Sequence, residues 1–255
     1  MLTRRETIAG GLAAGLGCGS FCCSAATPQA PHSAGCHLTD VDFDALYPRS
    51  SEDRGAIRGD EPIILNSGDR EFDFALAQTL AKLSSKFGVV PGFAYYDDSD
   101  SENAYATSRV RLNNVDGTVL MGIKLFQRLR RGHDSPEVAV AGVCAHEFGH
   151  IIQYKYGLIG KVNAGQKTIK RSELQADYFA GYFAGIRKLE LPSFPAAEVT
   201  LTLHNFGDVA FNDPTHHGTP QERAASAVRG FQAAFKESKN LSEAIDESTA
   251  YVLTL

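Results

Sequence analysis

The amino-acid sequence predicts an α+β domain in which a small β-sheet is followed by a run of helices. Three observations lead to this fold class. The chain has 255 residues, of which 43% are hydrophobic and 22% are charged, as is usual for a globular protein with a sizeable core. Strand-like segments are confined to its first half, and helical patterns dominate its second half. Strands and helices separated in this way are typical of α+β domains.

The N-terminus has the layout of an export signal. Arg4 and Arg5 precede residues 8–26, which are uncharged, rich in Gly and Ala, and end in small residues. The paired arginines resemble a twin-arginine signal, so we expect an exported protein, periplasmic or extracellular, whose mature chain starts near Thr27. The alternatives are an uncleaved stretch that anchors the protein in a membrane, lipidation at Cys18, and an ordinary buried helix.

The sequence divides into three predicted parts: an export signal over residues 1–26, a leader or linker over 27–60, and a folded domain over 61–255. The net charge of -5 and the lack of any basic block argue against a nucleic-acid partner. No stretch after the signal is apolar for long enough to cross a bilayer, so a membrane partner is expected only if the N-terminal segment is retained. Only Cys36 and Cys144 lie outside the signal, which argues against a disulfide framework.

The first predicted elements of the domain are a helix and three strands. Apolar residues recur every three or four positions from Arg70 until Gly88 and Pro91 end the pattern, which predicts a helix that faces a core. The Asp116-Gly117 pair is a strong signal for a hairpin turn. It lies between the second and third predicted strands, which span Phe93–Tyr96, Ala104–Leu112 and Thr118–Ile123.

Four helices are predicted in the second half of the chain. Ser135 and Pro136 provide an N-cap and a first-turn proline for one of them, and Gly157 ends it. A capping box at Thr219 opens the last one. The remaining predicted helical ranges are Ser172–Leu189, Ala196–Phe206 and, from the capping box, Pro220–Phe235.

The helix that opens at Ser135 contains the H-E-x-x-H pattern, as His146-Glu147-Phe148-Gly149-His150. Four residues make about one helical turn, so both imidazoles leave the same face and can bind one metal ion. Glu147 lies about 100° round the helix, near enough to act as a base on an attacking water. Two imidazoles suit zinc, which needs a further protein ligand and an open position for catalysis.

The pattern could also be an ordinary helix that carries two surface or core histidines. The residues on both sides of it, Val138 to Ala145 and Ile151 to Ile152, are apolar nearly all round the helix. The helix is therefore expected to be buried, and its charged triplet then needs compensation. A metal ion supplies that compensation.

The third ligand is expected from a second helix, in which Glu173 and Asp177 are one turn apart. The Ala and Gly residues that follow give this helix a face of small side chains, which allows close approach to another helix. We expect Glu173 to be the ligand and Asp177 to accept the ring N–H of a ligand histidine. The alternatives are Asp177, His216 or His217 as the ligand, with Glu173 solvated and the small residues serving core packing.

The order His146-Glu147-x-x-His150 followed by Glu173-x-x-x-Asp177 resembles the gluzincins, which are zinc metallopeptidases with two His ligands and one Glu ligand. HtpX-like peptidases are the closer resemblance. It rests on Pro91–Phe93, Asn103–Ala106, Thr118–Ile123, His216–Pro220 and Arg223. Neutral zinc metallopeptidases of the YpfJ type are similar over Glu173–Gly181 and at His217-Gly218-Thr219. The chain departs from typical HtpX proteins because it lacks their multiple membrane spans.

Over roughly residues 72–231, the resemblance implies a mainly helical zincin-type domain with a small sheet or hairpin packed on the active-site helix. It implies one zinc ion (Zn2+) per chain, with ligands His146, His150 and Glu173. The edge strand that receives an extended substrate would be formed by Asn103, Ala104 and Tyr105. On sequence alone, this segment is equally well interpreted as a turn that enters a strand.

The late histidines have a predicted role as well. His216 or His217 would stabilise the oxyanion, and Arg223 would brace the site. The other interpretation is a capping loop with two exposed histidines.

Two functions are consistent with these patterns. The first is an exported zinc-dependent endopeptidase that acts on peptides or unfolded proteins, with Glu147 moving the proton from water to the leaving amine. The second is a zinc-stabilised binding or chaperone-like domain whose open metal position is blocked by residues 27–60 or by Cys36. A peptidase held latent by its N-terminal segment lies between them. Glu147 favours hydrolysis, because a closed structural site has no use for a general base.

Overall fold

The computed structural model describes residues 61–255 and the backbone of residues 37 and 38. The predicted export signal, Cys36 and most of the predicted leader lie outside the described residues. The described part of the chain contains five strands and eight helices, which confirms the predicted α+β class. Within it, no helix has both the length and the apolar character that a membrane crossing needs.

The strands are β1 (His37–Leu38), β2 (Ile63–Ile64), β3 (Gly92–Tyr96), β4 (Ala104–Thr107) and β5 (Thr118–Gly122). The helices are α1 (Arg70–Phe87), α2 (Ile123–Gly132), α3 (Pro136–Tyr156), α4 (Ile159–Val162), α5 (Lys170–Glu190), α6 (Ala197–Asn205), α7 (Pro220–Phe235) and α8 (Leu241–Leu253).

The strands form one sheet in the order β1-β4-β5-β3-β2. Strand β5 pairs in parallel with β3 and antiparallel with β4, while β1 runs parallel to β4 and β2 runs antiparallel to β3. Successive side chains alternate between the two faces. Val119 and Met121 of β5 therefore join the main core, whereas Leu120 packs with Tyr96 and Tyr105 on the other face. The sheet thus presents one face to the helices.

Helix α3 lies at the centre of the fold. Every residue from Val138 to Gln153 is buried, and the helix contacts α1, α2, α5, α6 and the strands β4 and β5. Its bounds are those predicted, with Pro136 in the first turn and Gly157 closing the helix in a left-handed conformation at a φ of 63°. Because residues 138–153 are buried on all sides of α3, each charge among them needs a partner within the protein.

Small residues let helix α5 lie close to two neighbours. A Cβ at Gly149 of α3 would lie 2.9 Å from the Cα atom of Ala176, so α3 and α5 touch almost backbone to backbone. On its other side, Gly181 lies so close to Ala227 of α7 that a Cβ there would overlap the backbone carbonyl. Of the small residues predicted to allow a close approach to the histidine helix, Ala176 meets Gly149 of α3, whereas Gly181 packs against α7.

The predicted hairpin is present but longer than its Asp116-Gly117 pair suggests. Strand β4 ends at Thr107 rather than at Leu112, and β5 begins opposite it, at Thr118. The connection between them ends at Gly117, which has a φ of 91°. A Cβ at that glycine would collide with the carbonyl oxygen of Thr107, so a glycine is needed where the loop rejoins the sheet.

The sequence patterns missed helices α2, α4 and α8. Helix α2 begins directly after β5, where the carboxylate of Asp98 accepts hydrogen bonds from the N–H groups of Lys124 at 2.6 Å and Leu125 at 2.9 Å. A cap supplied from a distant part of the chain leaves no local start signal. Helix α8 begins with a capping box formed by Asn240 and Glu243.

Candidate metal centre

The three predicted ligand residues converge in the structure. His146 and His150 are one turn apart on α3, and their Nε2 atoms are 3.1 Å apart. Glu173 of α5 places Oε2 at 3.3 Å from Nε2 of His146 and Oε1 at 3.3 Å from Nε2 of His150. All three side chains are fully buried. Within the described part of the chain, their ligand atoms form a group compact enough to hold one metal ion.

Asp177 fixes the ring proton of His146. Its Oδ1 lies 2.7 Å from Nδ1 of His146. Arg223 donates to the same carboxylate twice, from Nε to Oδ2 and from Nη2 to Oδ1, both at 2.8 Å. A carboxylate held by a guanidinium is an acceptor only, so Nδ1 of His146 is the donor. In the neutral ring, Nε2 then carries the lone pair that faces Glu173.

An amide fixes the ring proton of His150. Nδ1 of this ring lies 2.8 Å from Oε1 of Gln153. The amide nitrogen of Gln153 donates to the carbonyl of Ser172 at 2.7 Å and to Oε1 of Gln175 at 3.1 Å. Because a carbonyl only accepts, the Gln153 nitrogen must point toward Ser172 and its oxygen toward His150. Nδ1 of His150 is therefore the donor, and its Nε2 also carries a lone pair.

The donor set fits a zinc ion. Two imidazole lone pairs face a carboxylate whose oxygens accept no hydrogen bond from any residue that the structure describes. Burial by itself raises the pKa of Glu173, whereas positive charge on the neighbouring histidines lowers it well below its usual value, so the buried carboxylate needs a cation beside it. A metal ion held by neutral rings would be that cation. Zn–N bonds of about 2.0–2.1 Å in a tetrahedron separate ligand atoms by about 3.3 Å, close to the spacing observed. A cation between these atoms relieves their mutual repulsion.

Glu147 follows His146 on α3, and its side chain is fully buried. At about 100° per residue, it leaves the helix in a different direction from the two imidazoles. This direction suits a residue that acts on a water molecule rather than one that holds the metal.

The loop between α6 and α7 carries His216 and His217, and Asp208 of the same loop holds both. Oδ2 of Asp208 accepts hydrogen bonds from the backbone N–H of His217 at 2.9 Å and from its Nδ1 at 3.2 Å. Oδ1 accepts a hydrogen bond from Nδ1 of His216. Burial by itself raises the pKa of Asp208, but the hydrogen bonds from the two histidines lower it well below its usual range. Sequence reasoning missed Asp208, because no spacing rule links it to them.

The sequence left open which late histidine faces the site. His217 contributes to lowering the pKa of Glu173, so it lies within electrostatic reach of the metal cluster. His216 packs edge-on against Phe211, with ring centroids 5.3 Å apart. The structure therefore favours His217 as the residue beside the metal cluster.

Arg223 reaches the site through Asp177. Its guanidinium is fully buried, and Nη1 donates to the backbone carbonyl of Phe206 at 3.1 Å, at the end of α6. It thereby ties α7 to α5 and to the loop that follows α6. This is the location expected of the predicted brace, since Arg223 positions Asp177 and Asp177 positions His146.

The predicted substrate strand is not open in the structure. Strand β4 pairs with β5 on one side and with β1 on the other, where β1 lies opposite Tyr105 and Ala106. The backbone of residues 37–38 therefore occupies this side of β4, and the role of Asn103, Ala104 and Tyr105 as the edge strand for substrate stays a prediction. Asn103 is buried, and its side-chain amide makes no hydrogen bond to a described residue.

Comparison with known proteins agrees with this geometry. A family model described as "Putative neutral zinc metallopeptidase" matches residues 112–240, slightly more than half of the chain. The matched range includes the metal cluster, Glu147 and Arg223, and it ends just before α8. Comparisons with curated proteins and with solved structures gave no match. The family match and the buried His-His-Glu cluster lead to one conclusion: the chain belongs to this family of neutral zinc metallopeptidases.

Proposed function

We propose that this protein is an exported zinc endopeptidase that hydrolyses peptide bonds in peptides or unfolded proteins. The observation that carries the proposal is the convergence of three buried ligand groups, from His146, His150 and Glu173, with both ring protons held on the far nitrogens. These residues would hold one zinc ion per chain. When bound, zinc supplies Lewis-acid polarisation of the scissile carbonyl and of water. Three protein ligands leave a position open, as in catalytic zinc sites.

Glu147 is the proposed general base. Its carboxylate would take a proton from the attacking water and deliver it to the nitrogen of the leaving amine. Because Glu147 is not a proposed ligand, its replacement should leave the zinc in place. That separation distinguishes a catalytic site from a zinc-stabilised binding domain.

His217 is proposed to stabilise the oxyanion. The Asp208 carboxylate accepts the Nδ1 proton of His217 and orients the ring. In its protonated form, the ring would donate an Nε2–H to the developing oxyanion. His216 stays the alternative, since its Nε2 is buried and bonded to no described residue.

The test compares wild type with Glu147→Gln. We expect one zinc per chain in both by elemental analysis, and a loss of about 10²- to 10⁴-fold in the degradation of an unfolded protein by the variant. Glu137→Gln is the matched control, because Glu137 lies in the first turn of the same helix and is exposed. Activity retained in purified Glu147→Gln would remove Glu147 from the mechanism. Zinc without any activity in wild type would support the non-catalytic binding domain.

A latent peptidase is the second candidate, and strand β1 favours it. The backbone of residues 37–38 pairs with β4, where an extended substrate would add its own strand. The N-terminal segment would then compete with substrate. Leu38→Pro in the full chain removes a backbone N–H from β1 and should raise activity on unfolded protein. Unchanged activity in this variant would count against latency.

The proposal also includes export through the twin-arginine signal and a closer relation to HtpX-like peptidases. Replacing Arg4 and Arg5 together by lysine should stop export and leave a folded cytoplasmic protein, which fractionation detects. If export continues in this variant but fails when the apolar stretch is disrupted, the signal is an ordinary secretory one.

A further inference from the structure

A chain of buried hydrogen bonds leads from the metal cluster to the C-terminal helix. It starts with His150 and Gln153 and continues through Gln175 of α5. The amide nitrogen of Gln175 donates to Oγ of Ser248 at 3.1 Å and to Oγ1 of Thr249 at 3.0 Å, both on α8. We call these five residues the amide chain. Three of its members besides His150 are fully buried, and Thr249 is 5% exposed, so bulk water cannot replace its bonds.

The direction of the amide chain is set at both ends: by the carbonyl of Ser172, which accepts from the Gln153 amide, and by helix α8. The hydroxyl of Ser248 donates to the backbone carbonyl of Ile245 at 3.0 Å, so it is an acceptor toward Gln175. Gln175 must therefore turn its NH₂ group toward α8 and its oxygen toward Gln153. The Gln153 amide in turn directs its NH₂ group at Gln175 and its oxygen at His150.

We propose that Gln175, Ser248 and Thr249 are positioning residues of the metal site. Together with the carbonyl of Ser172, they hold the Gln153 amide in the orientation that keeps the ring proton of His150 on Nδ1 and the Nε2 lone pair directed at the metal. This inference rests on the proposed zinc site and assigns a functional role to α8. The family match ends at residue 240, before α8 begins, so it does not include this helix.

The proposed role follows from the chemistry of neutral imidazole. Either ring nitrogen can carry the proton, and the partner of one nitrogen decides which form is present. A fixed acceptor at Nδ1 therefore makes Nε2 the ligand atom. Groups that orient metal ligands in this way typically change metal affinity by about 10- to 100-fold when they are removed.

The experiment uses the full chain and two variants remote from the metal. Gln175→Met keeps the volume and removes all three hydrogen bonds of the amide, two donated to α8 and one accepted from Gln153. The double variant Ser248→Ala with Thr249→Val removes the two acceptors on α8. Ser226→Ala is the matched control, because this buried hydroxyl donates to the backbone carbonyl of Leu174 on α5 and is not in the amide chain. The exchange variant Ser248→Thr with Thr249→Ser keeps both hydroxyls.

Two quantities are measured. Zinc affinity is obtained by competition with a chromophoric chelator, and ¹⁵N NMR of the metal-free protein reports which ring nitrogen of His150 is protonated. We expect Gln175→Met and the Ala/Val variant to bind zinc more weakly than wild type, by less than the about 10- to 100-fold that loss of a direct partner of a ligand costs, and to show a second His150 tautomer. Ser226→Ala and the hydroxyl-exchange variant should match wild type in both measurements.

The outcomes separate this inference from the proposed function. If wild type binds zinc and the Ala/Val variant keeps wild-type affinity and a single Nδ1–H tautomer, the amide chain has no positioning role. An equal loss of affinity in Ser226→Ala would also overturn it, because the effect would then be a general loss of packing. If wild type binds no zinc, the proposed function fails. The tautomer of His150 in the metal-free variants then still decides whether the amide chain orients the ring. Should Gln175→Met not fold, the Ala/Val variant gives the answer.

Discussion

The two histidines of the metal cluster are held by opposite chemical means. His146 is oriented by the buried ion pair of Asp177 and Arg223, whereas His150 is oriented by the neutral amide of Gln153. Both arrangements place the ring proton on Nδ1. The hydrogen bonds of the charged arrangement are stronger, but a mutation that removes one partner leaves a buried, unpaired charge, which strongly destabilises the fold. Breaking the neutral arrangement costs less free energy, and its effect depends on the direction of each amide. The two histidines are thus oriented in the same way by two arrangements that differ in their sensitivity to mutation.

The largest loss of stability is expected from Arg223→Met. This change leaves the Asp177 carboxylate buried without its guanidinium, which costs about 3–5 kcal/mol of the free energy of unfolding. Equilibrium denaturation in urea measures the loss. Arg229→Met is the control on the same helix, because Arg229 pairs with Glu237 and Glu247 in a partly exposed site, where ion pairs contribute about 0–1 kcal/mol. Equal losses in the two variants would contradict the special cost of the buried pair.

The next largest effect is expected on zinc affinity, and it distinguishes a metal ligand from a group that only orients a ligand. Glu173→Gln should lose bound zinc, because it removes the only carboxylate of the proposed ligand set. Asp177→Asn should bind zinc about 10- to 100-fold more weakly, since Asp177 acts through His146. Titration of each metal-free protein with zinc orders the two. If Asp177→Asn loses zinc outright while Glu173→Gln binds it almost as well as wild type, the two roles are exchanged. If neither changes binding, the third ligand is elsewhere, with His217 the next candidate.

The charged arrangement was predictable from sequence and the neutral one was not. His146, His150, Glu173 and Asp177 are spaced by one helical turn within helices whose apolar flanks mark them, so local periodicity places them correctly. Gln153 also lies on a predicted helix, but nothing in its spacing distinguishes it from other glutamines.

The far end of the amide chain and the loop residues depend on tertiary structure. Gln175 is oriented by Ser248, which is 73 residues away on a helix that the patterns missed. Asp208 acquires its role only when the loop folds onto His217. The pairing of β1 with the predicted substrate edge at Tyr105 was missed for a related reason, because no local pattern marked residues 37–38 as a strand.

A smaller loss in the free energy of unfolding is expected when the neutral arrangement at His150 is broken. Gln153→Met leaves the Nδ1–H group of His150 and Oε1 of Gln175 without their partner, which costs about 1–3 kcal/mol. The loss measured by urea denaturation should therefore be smaller than that of Arg223→Met. A larger loss would mean that the buried ion pair is not the dominant anchor of the cluster.

The smallest effect on the metal cluster is expected from Asp208→Asn, because Asp208 contacts the late histidines and none of the proposed ligands. Asparagine still accepts the backbone N–H of His217, so the loop should keep its shape. The loss of the carboxylate charge weakens the hydrogen bond that orients the His217 ring, and turnover should fall by less than the about 10²- to 10³-fold that removal of a whole oxyanion donor costs. His217→Ala gives that larger value in the same assay. Zinc content of Asp208→Asn, measured by elemental analysis, should equal that of wild type. Loss of zinc in this variant would place His217 among the ligands and make the cluster a closed four-ligand site, which a binding domain would use and a peptidase would not.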